Sequence, residues 1–80
     1  MPESSEDVAY TATPASFTIP DDVYCIRVCP TTDCVITWPD GPALTFLYGL
    51  VEYIQATPGS AMTVERVTSD GSLNVGYMTN

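Results

Sequence analysis

The sequence has no histidine and no lysine, and its only cationic side chains are Arg27 and Arg66. Ten Asp and Glu residues bring the formal net charge to −8. Histidine and lysine are among the commonest general bases, so their absence excludes most acid–base and nucleophilic catalysis. Binding to nucleic acid or to an anionic membrane needs a surface of Lys and Arg, which two arginines cannot supply. The composition therefore predicts a protein that is not an enzyme, needs no cofactor and binds neither nucleic acid nor membrane.

Long apolar runs are also missing. No segment approaches the roughly 20 apolar residues of a membrane-spanning helix. The N-terminal stretch "MPESSEDVAYTATPAS" is acidic where a secretory signal peptide has a basic start followed by an apolar run. We therefore expect synthesis in the cytoplasm without a signal peptide, an environment in which disulfides are uncommon.

Three cysteines, Cys25, Cys29 and Cys34, lie within one short stretch. A structural zinc site takes four ligands, and only Asp33 is close enough in sequence to complete three cysteines, so we expect no metal. Cys25 and Cys29 would be roughly 13 Å apart on one extended strand, too far for a bridge. Cys29 and Cys34 flank "PTTD" (30–33), which as a hairpin loop would place them opposite each other. The spacing predicts a hairpin whose Cys29 and Cys34 either form a disulfide or stay reduced as small buried side chains.

From residue 16 onward, short apolar runs alternate with turn signals. The runs carry Val, Ile, Thr and aromatic residues at every second position, and turns recur about every ten residues. This pattern predicts a single all-β domain over residues 16–80, a small sandwich or barrel of about seven short antiparallel strands. Within it, "VTSDGSLNV" (67–75) predicts the clearest hairpin, because Asp-Gly favours a type I′ turn.

Segment 42–56 could form either a helix or a pair of strands. Asp40 could cap a helix that has Pro42 in its first turn. Gly49 and the many Thr, Phe, Tyr, Val and Ile residues favour strands instead. We expect a pair of strands here, with a helix as the alternative.

Residues 1–15 are acidic and polar, contain two prolines and show no apolar periodicity. This composition predicts a flexible acidic N-terminal arm, which either frays or becomes ordered on a neighbouring protein.

Alternation along the strands also predicts the core. The expected inward-facing residues are Tyr24, Ile26, Val28, Cys34, Ile36, Trp38, Leu44, Phe46, Tyr48, Met62, Val64, Leu73, Val75 and Tyr77. Apolar residues of the opposite parity, Val23, Val35, Leu47 and Val67, are left for an interface. Hydrophobic residues make up 45% of the chain, more than so small a domain easily covers, which favours a protein–protein surface. The candidate partner contacts are Val8, Tyr10, Leu47, Leu50 and Tyr53.

The run "LTFLYGLVEYIQATPGSAMTVERVTSDGSLNVGYMT" (44–79) resembles small accessory virion proteins of tailed bacteriophages, the capsid decoration (cement) and head-fibre-like β modules. The residues that carry the resemblance are Gly49, Glu52, Tyr53, Ile54, Pro58, Gly59, Val64, Arg66, Val67, Gly71 and Val75. The resemblance implies a non-enzymatic structural subunit of the virion. It further implies a homo-oligomer, often a trimer, bound to the major capsid protein or another virion protein.

The acidic charge supports a second hypothesis of a different class. A soluble acidic inhibitor, or DNA mimic, would dock on a nucleic-acid-binding enzyme through a continuous carboxylate surface. The carboxylates of this sequence are instead scattered over the turns and the N-terminal segment, which favours the structural subunit.

Overall fold

The computed structural model describes residues 4–79, which form eight strands and no helix. The strands are β1 (Ser4–Tyr10), β2 (Ala15–Thr18), β3 (Val23–Pro30), β4 (Cys34–Thr37), β5 (Ala43–Phe46), β6 (Glu52–Gln55), β7 (Ala61–Arg66) and β8 (Gly71–Thr79). The all-β prediction is confirmed. Segment 42–56 contains β5 and β6, so the helix alternative is wrong.

The strands form two four-stranded antiparallel sheets. The first has the order β1-β8-β3-β6 and the second the order β2-β7-β4-β5. The pairing of β1 with β8, β2 with β7, β3 with β6 and β4 with β5 is the strand order of a jelly roll, a sandwich made of two Greek keys. Each sheet has two outer strands. We call the side formed by β1 and β2 the acidic edge, and segment 43–55, which contains β5 and β6, the apolar edge.

Two expected hairpins are crossovers between the sheets. β3 lies in the first sheet and β4 in the second, so "PTTD" connects the two layers. β7 and β8 are likewise in different sheets, and Gly71 does not have a positive φ. A Cβ at Gly71 would lie 2.6 Å from Thr32 Oγ1 and 2.7 Å from Thr31 Oγ1. This glycine is therefore explained by the close approach of the 31–33 crossover, not by a type I′ turn.

The expectation of a flexible arm is wrong for the part of it that forms β1. Residues 4–10 pair with β8 in unbroken register, from Ser4 opposite Tyr77 to Tyr10 opposite Gly71. Val8 and Tyr10 are buried in the core, so they are not available as partner contacts. The alternation in β1 is easily missed, because only these two inward positions are large and apolar. Residues 1–3 of the predicted arm lie outside the described residues.

The core fills the space between the sheets, and most of the residues predicted for it are buried. Fully or nearly fully buried are Ile26, Val28, Cys34, Ile36, Phe46, Met62, Val64, Leu73, Val75 and Tyr77, and Trp38 packs against them. The same cluster contains Phe17 and Ile19 from the β2 region.

Three predicted core residues, Tyr24, Leu44 and Tyr48, are exposed. A register shift between Val23 and Cys25 reverses the alternation at the start of β3, so Val23 is buried and Tyr24 faces solvent. Leu44 has the inward parity of Phe46, but β5 is an outer strand and leaves it half covered. Tyr48 lies beyond the end of β5, where strand alternation no longer applies.

Candidate functional site

The exposed apolar side chains are concentrated on one edge of the sandwich. Nine large hydrophobic residues are exposed among residues 4–79, and six of them lie in the apolar edge. These six are Leu44, Leu47, Tyr48, Leu50, Val51 and Tyr53. Contiguous apolar surface on a small protein marks an interaction site more often than isolated exposed residues do.

The loop between β5 and β6 has a defined backbone conformation. The Tyr48 N–H donates to Asp33 Oδ1 at 2.8 Å, and the Gly49 N–H donates to the Pro30 carbonyl at 3.4 Å. Gly49 has a φ of 80°, which a residue with a Cβ rarely adopts. These contacts tie loop 47–51 to the β3–β4 crossover. The exposed side chains of the loop are therefore presented on an anchored backbone.

At Tyr53, the backbone N–H and C=O groups of β6 point away from β3. The Ala56 N–H donates to the Tyr24 carbonyl at 2.9 Å, which fixes the phase of the antiparallel hydrogen bonds between β3 and β6. Because hydrogen-bonded positions alternate along such a pair, Ile54 points its backbone groups toward β3, and Tyr53 and Gln55 point theirs away. The Gln55 carbonyl accepts the Trp38 Nε1–H at 3.2 Å. Trp38 thus covers the open side of β6 at Gln55, whereas no partner for the Tyr53 backbone occurs among the described residues.

Glu52 is the only charged residue within the apolar edge. Of the two arginines, Arg66 pairs with Asp70 at 2.6 Å, and Arg27, which lies opposite Tyr53 on β3, donates to Asn74 Oδ1 at 3.2 Å. Segment 43–55 itself therefore carries a single charge, which is negative.

The acidic edge is built differently. Ser4, Ser5, Glu6 and Asp7 are exposed on β1, while Val8 is covered. None of the exposed large hydrophobic side chains lies between residues 4 and 18. Charged residues on an outer strand discourage pairing with another chain, so this edge is protected in the usual way.

Of the two alternatives for Cys29 and Cys34, a disulfide or reduced thiols, the structure has the reduced thiols. All three are free thiols, and Cys29 and Cys34 lie on strands of different sheets, so the hairpin that would have aligned them is absent. Cys34 is fully buried, and its pKa is raised to about 11. The main cause is burial, a hydrogen bond with Tyr10 opposes the rise, and the charge of Asp33 adds a smaller rise to this total. Cys25 and Cys29 are partly exposed on β3.

The described residues 4–79 do not form a metal centre. No cluster of three or more His, Cys, Asp or Glu side chains there could hold a metal ion. A shallow groove of about 380 Å³ lies beside the end of β6 and is lined by Tyr24, Trp38, Gln55, Ala56, Thr57 and Pro58. Its lining contains no carboxylate, thiol or arginine, so it offers no acid–base pair.

Three of the five predicted partner contacts, Leu47, Leu50 and Tyr53, lie on the apolar edge and are at least half exposed. The sequence pattern did not single out Val51 and placed Leu44 and Tyr48 in the core. A signal was present, since "LYGLV" (47–51) has four large apolar or aromatic side chains and no charge, and Gly49 marks it as a turn.

No helix in the described part of the chain has the length and apolar character needed to cross a membrane. Comparisons of the chain with protein-family models, curated proteins and solved structures find no match.

Proposed function

We propose that this protein is a non-enzymatic accessory subunit of a tailed-bacteriophage virion that attaches to the major capsid protein or another virion protein through its apolar edge. The observation that carries the proposal is the concentration of six of the nine exposed large hydrophobic residues in segment 43–55. Burying such side chains against a partner removes apolar surface from water, which is the main driving force of association.

Two further features support this function over a catalytic one. The chain has no histidine and no lysine, so the common catalytic bases are missing. The jelly-roll strand order recurs in viral capsid domains, although also in lectins and cupins, and so supports the proposal only by analogy of fold.

The first test is stoichiometry. Density-purified virus particles from the genetic source of the chain are analysed by quantitative mass spectrometry. We expect the protein in a fixed ratio to the lattice protein through successive purification steps. Loss of the protein during purification, with no constant ratio to any virion protein, would reject the proposal.

The second test asks whether binding depends on the apolar edge or on the net charge of the protein. The double variant Leu47→Lys/Leu50→Lys adds two positive charges to the apolar edge. Ser5→Lys/Ser16→Lys adds the same charges to exposed positions of the acidic edge. We expect the first variant to lose particle occupancy at least tenfold and the second to keep it, because only the first places charges in the apolar contact. An acidic inhibitor or DNA mimic would instead be weakened similarly by both variants, and its binding would fall steeply with salt.

A further inference from the structure

The outward backbone of β6 and the apolar side chains around it suggest how the partner is bound. We propose that β6 receives an extended segment of the partner protein as an additional strand, hydrogen-bonded to Tyr53 and flanked by the apolar edge. This inference rests on the proposed function and specifies its binding mode. Strand addition of this kind derives affinity from main-chain hydrogen bonds and selectivity from alternate side chains.

The open stretch of β6 is short and has clear limits. At one end Trp38 Nε1 already occupies the Gln55 carbonyl, so pairing cannot continue past Gln55 without displacing the indole. At the other end the chain leaves the sheet through loop 47–51, which is tied to Asp33 and Pro30. The added strand would therefore pair chiefly with Tyr53, and the exposed side chains on either side of it would supply most of the remaining contact.

Side chains of the added strand would alternate between two environments. Ile54 faces the space between the sheets and is partly buried, and Leu44 is half exposed on the opposite sheet. Residues of the added strand that face inward would extend this layer and cover Leu44 and Ile54, so they should be apolar. Residues that face outward would lie beside the ring of Tyr53 and tolerate polar groups.

Charge indicates a basic segment rather than a second copy of this chain. The protein carries a net charge of −8, and Glu52 is the one charge within the edge. Two copies meeting at this edge would bring two such charges together. Glu52 is exposed and has the same strand parity as Ile54, so a Lys or Arg at the end of the inward-facing row of the partner segment would lie beside Glu52 and complement it. The occupant we infer is thus an extended segment with alternate apolar residues and at least one basic residue.

The test uses the full chain and defined peptides. The probe is an eight-residue peptide with valine at alternate positions and threonine between them, in which lysine replaces the first and the last valine so that one lysine lies beside Glu52 in either strand direction. Its controls are the same peptide with N-methyl groups along one edge and a version with glutamate in place of lysine. We expect the probe to bind and to slow hydrogen exchange of the Tyr53 and Gln55 amides. Both controls should bind about tenfold more weakly, because one loses main-chain hydrogen bonds and the other loses charge complementarity.

A pair of variants at Tyr53 distinguishes the contribution of its backbone N–H to peptide affinity from the contribution of its side chain. Tyr53→Pro removes the outward N–H, while Tyr53→Thr keeps it and loses the ring. We expect at least a tenfold loss of probe affinity for Tyr53→Pro and less than threefold for Tyr53→Thr. The peptide controls give the same answer in the unmodified protein if Tyr53→Pro fails to fold.

Several results would overturn the strand-addition model. These are equal affinity for the N-methylated peptide, protection confined to loop 47–51, no binding of any peptide, or dimerisation through this edge by light scattering. Particle occupancy that depends on Leu47 and Leu50, combined with any of these results, would leave the proposed function intact and reject strand addition alone.

Discussion

The two edges of the sandwich both have outer strands, but one edge is protected against pairing with another chain and the other is not. Each edge presents outer strands whose unpaired backbone groups could recruit another chain. On the acidic edge, Glu6 and Asp7 face solvent while Val8 and Tyr10 turn into the core. On the apolar edge, Leu44 and Tyr53 stay exposed on the strands themselves, and loop 47–51 adds further apolar surface.

This difference separates residues that build the fold from residues that are available for binding. Tyr10 is nearly fully buried, and its hydroxyl donates to the Thr32 carbonyl at 2.8 Å and accepts the Thr32 N–H at 3.1 Å. It thereby ties β1 to the crossover between the sheets. Tyr53 is 62% exposed on an outer strand. The same residue type thus stabilises the fold on one edge and is available to a partner on the other.

The largest effect should come from comparing these two tyrosines. Tyr10→Ala should lower the free energy of unfolding by about 3–5 kcal/mol, because it removes a buried ring and leaves the Thr32 backbone without its partner. Tyr53→Ala should cost less than about 0.5 kcal/mol, as expected for an exposed position. Urea unfolding followed by circular dichroism measures both. Similar losses for the two variants would contradict the difference between the edges.

Unfolding at alkaline pH tests how much the buried thiol of Cys34, which contacts Tyr10, contributes to stability. Cys34 has a pKa of about 11 in the folded protein against 9.0 for an ordinary thiol. The folded state therefore holds its proton more tightly, and its contribution to stability is present below pH 9 and lost as the pH rises from 9 to 11. A rise of this size in the pKa corresponds to a loss of at most about 2.7 kcal/mol in the free energy of unfolding.

Urea unfolding across this pH range should show a steeper loss of stability for the unchanged protein than for Cys34→Ala. The raised pKa of Tyr77, caused first by burial and then by its contact with Glu6, adds a loss in the same direction to both proteins. Parallel pH profiles would show that the Cys34 thiol does not contribute.

Gly71→Ala tests the close contact between Gly71 and the crossover at residues 31–33. The added methyl group would lie 2.6 Å and 2.7 Å from the hydroxyl oxygens of Thr32 and Thr31. These hydroxyls are held by hydrogen bonds to Ser69 and Ser72, so we expect a loss of about 1–3 kcal/mol. The double variant Thr31→Ala/Gly71→Ala should recover part of the loss, because it removes one of the clashing oxygens. A neutral Gly71→Ala would contradict the close approach.

The smallest effect concerns thiol accessibility. In the native protein a thiol reagent should modify Cys25 and Cys29, which are partly exposed, and react with Cys34 only after unfolding. Mass spectrometry of labelled peptides with and without urea counts the modified sites. Rapid native labelling of Cys34 would show that the interior opens more readily than its full burial implies.

Much of the local structure was predictable from the sequence, but the pairing of strands was not. The runs that became β2 to β8 alternate strongly enough to be recognised, and residues such as Ile26 and Val64 were correctly placed in the core. "PTTD" and Asp70-Gly71 signal that the chain turns, but a local turn signal does not say whether the next strand pairs with the last one or crosses to the other sheet. Only the packing between the sheets decides this, as the approach of Thr32 to Gly71 shows.

The candidate site was predicted in part for a related reason. Leu47, Leu50 and Tyr53 were correctly placed outside the core. Val8 was misplaced, because composition cannot show that an acidic stretch pairs with the last strand of the chain. The exposure of Leu44 depends on β5 being an outer strand, which again follows from strand order and not from local sequence.

The most direct test of the account compares both edges at once. Hydroxyl-radical footprinting is performed on the free protein and on the protein bound to its particle. We predict strong protection of Leu44, Leu47, Tyr48, Leu50 and Tyr53 in the particle, with little change for residues 4–18. Protection of the acidic edge while the apolar edge stays reactive would contradict the central claim that the apolar edge is the binding surface.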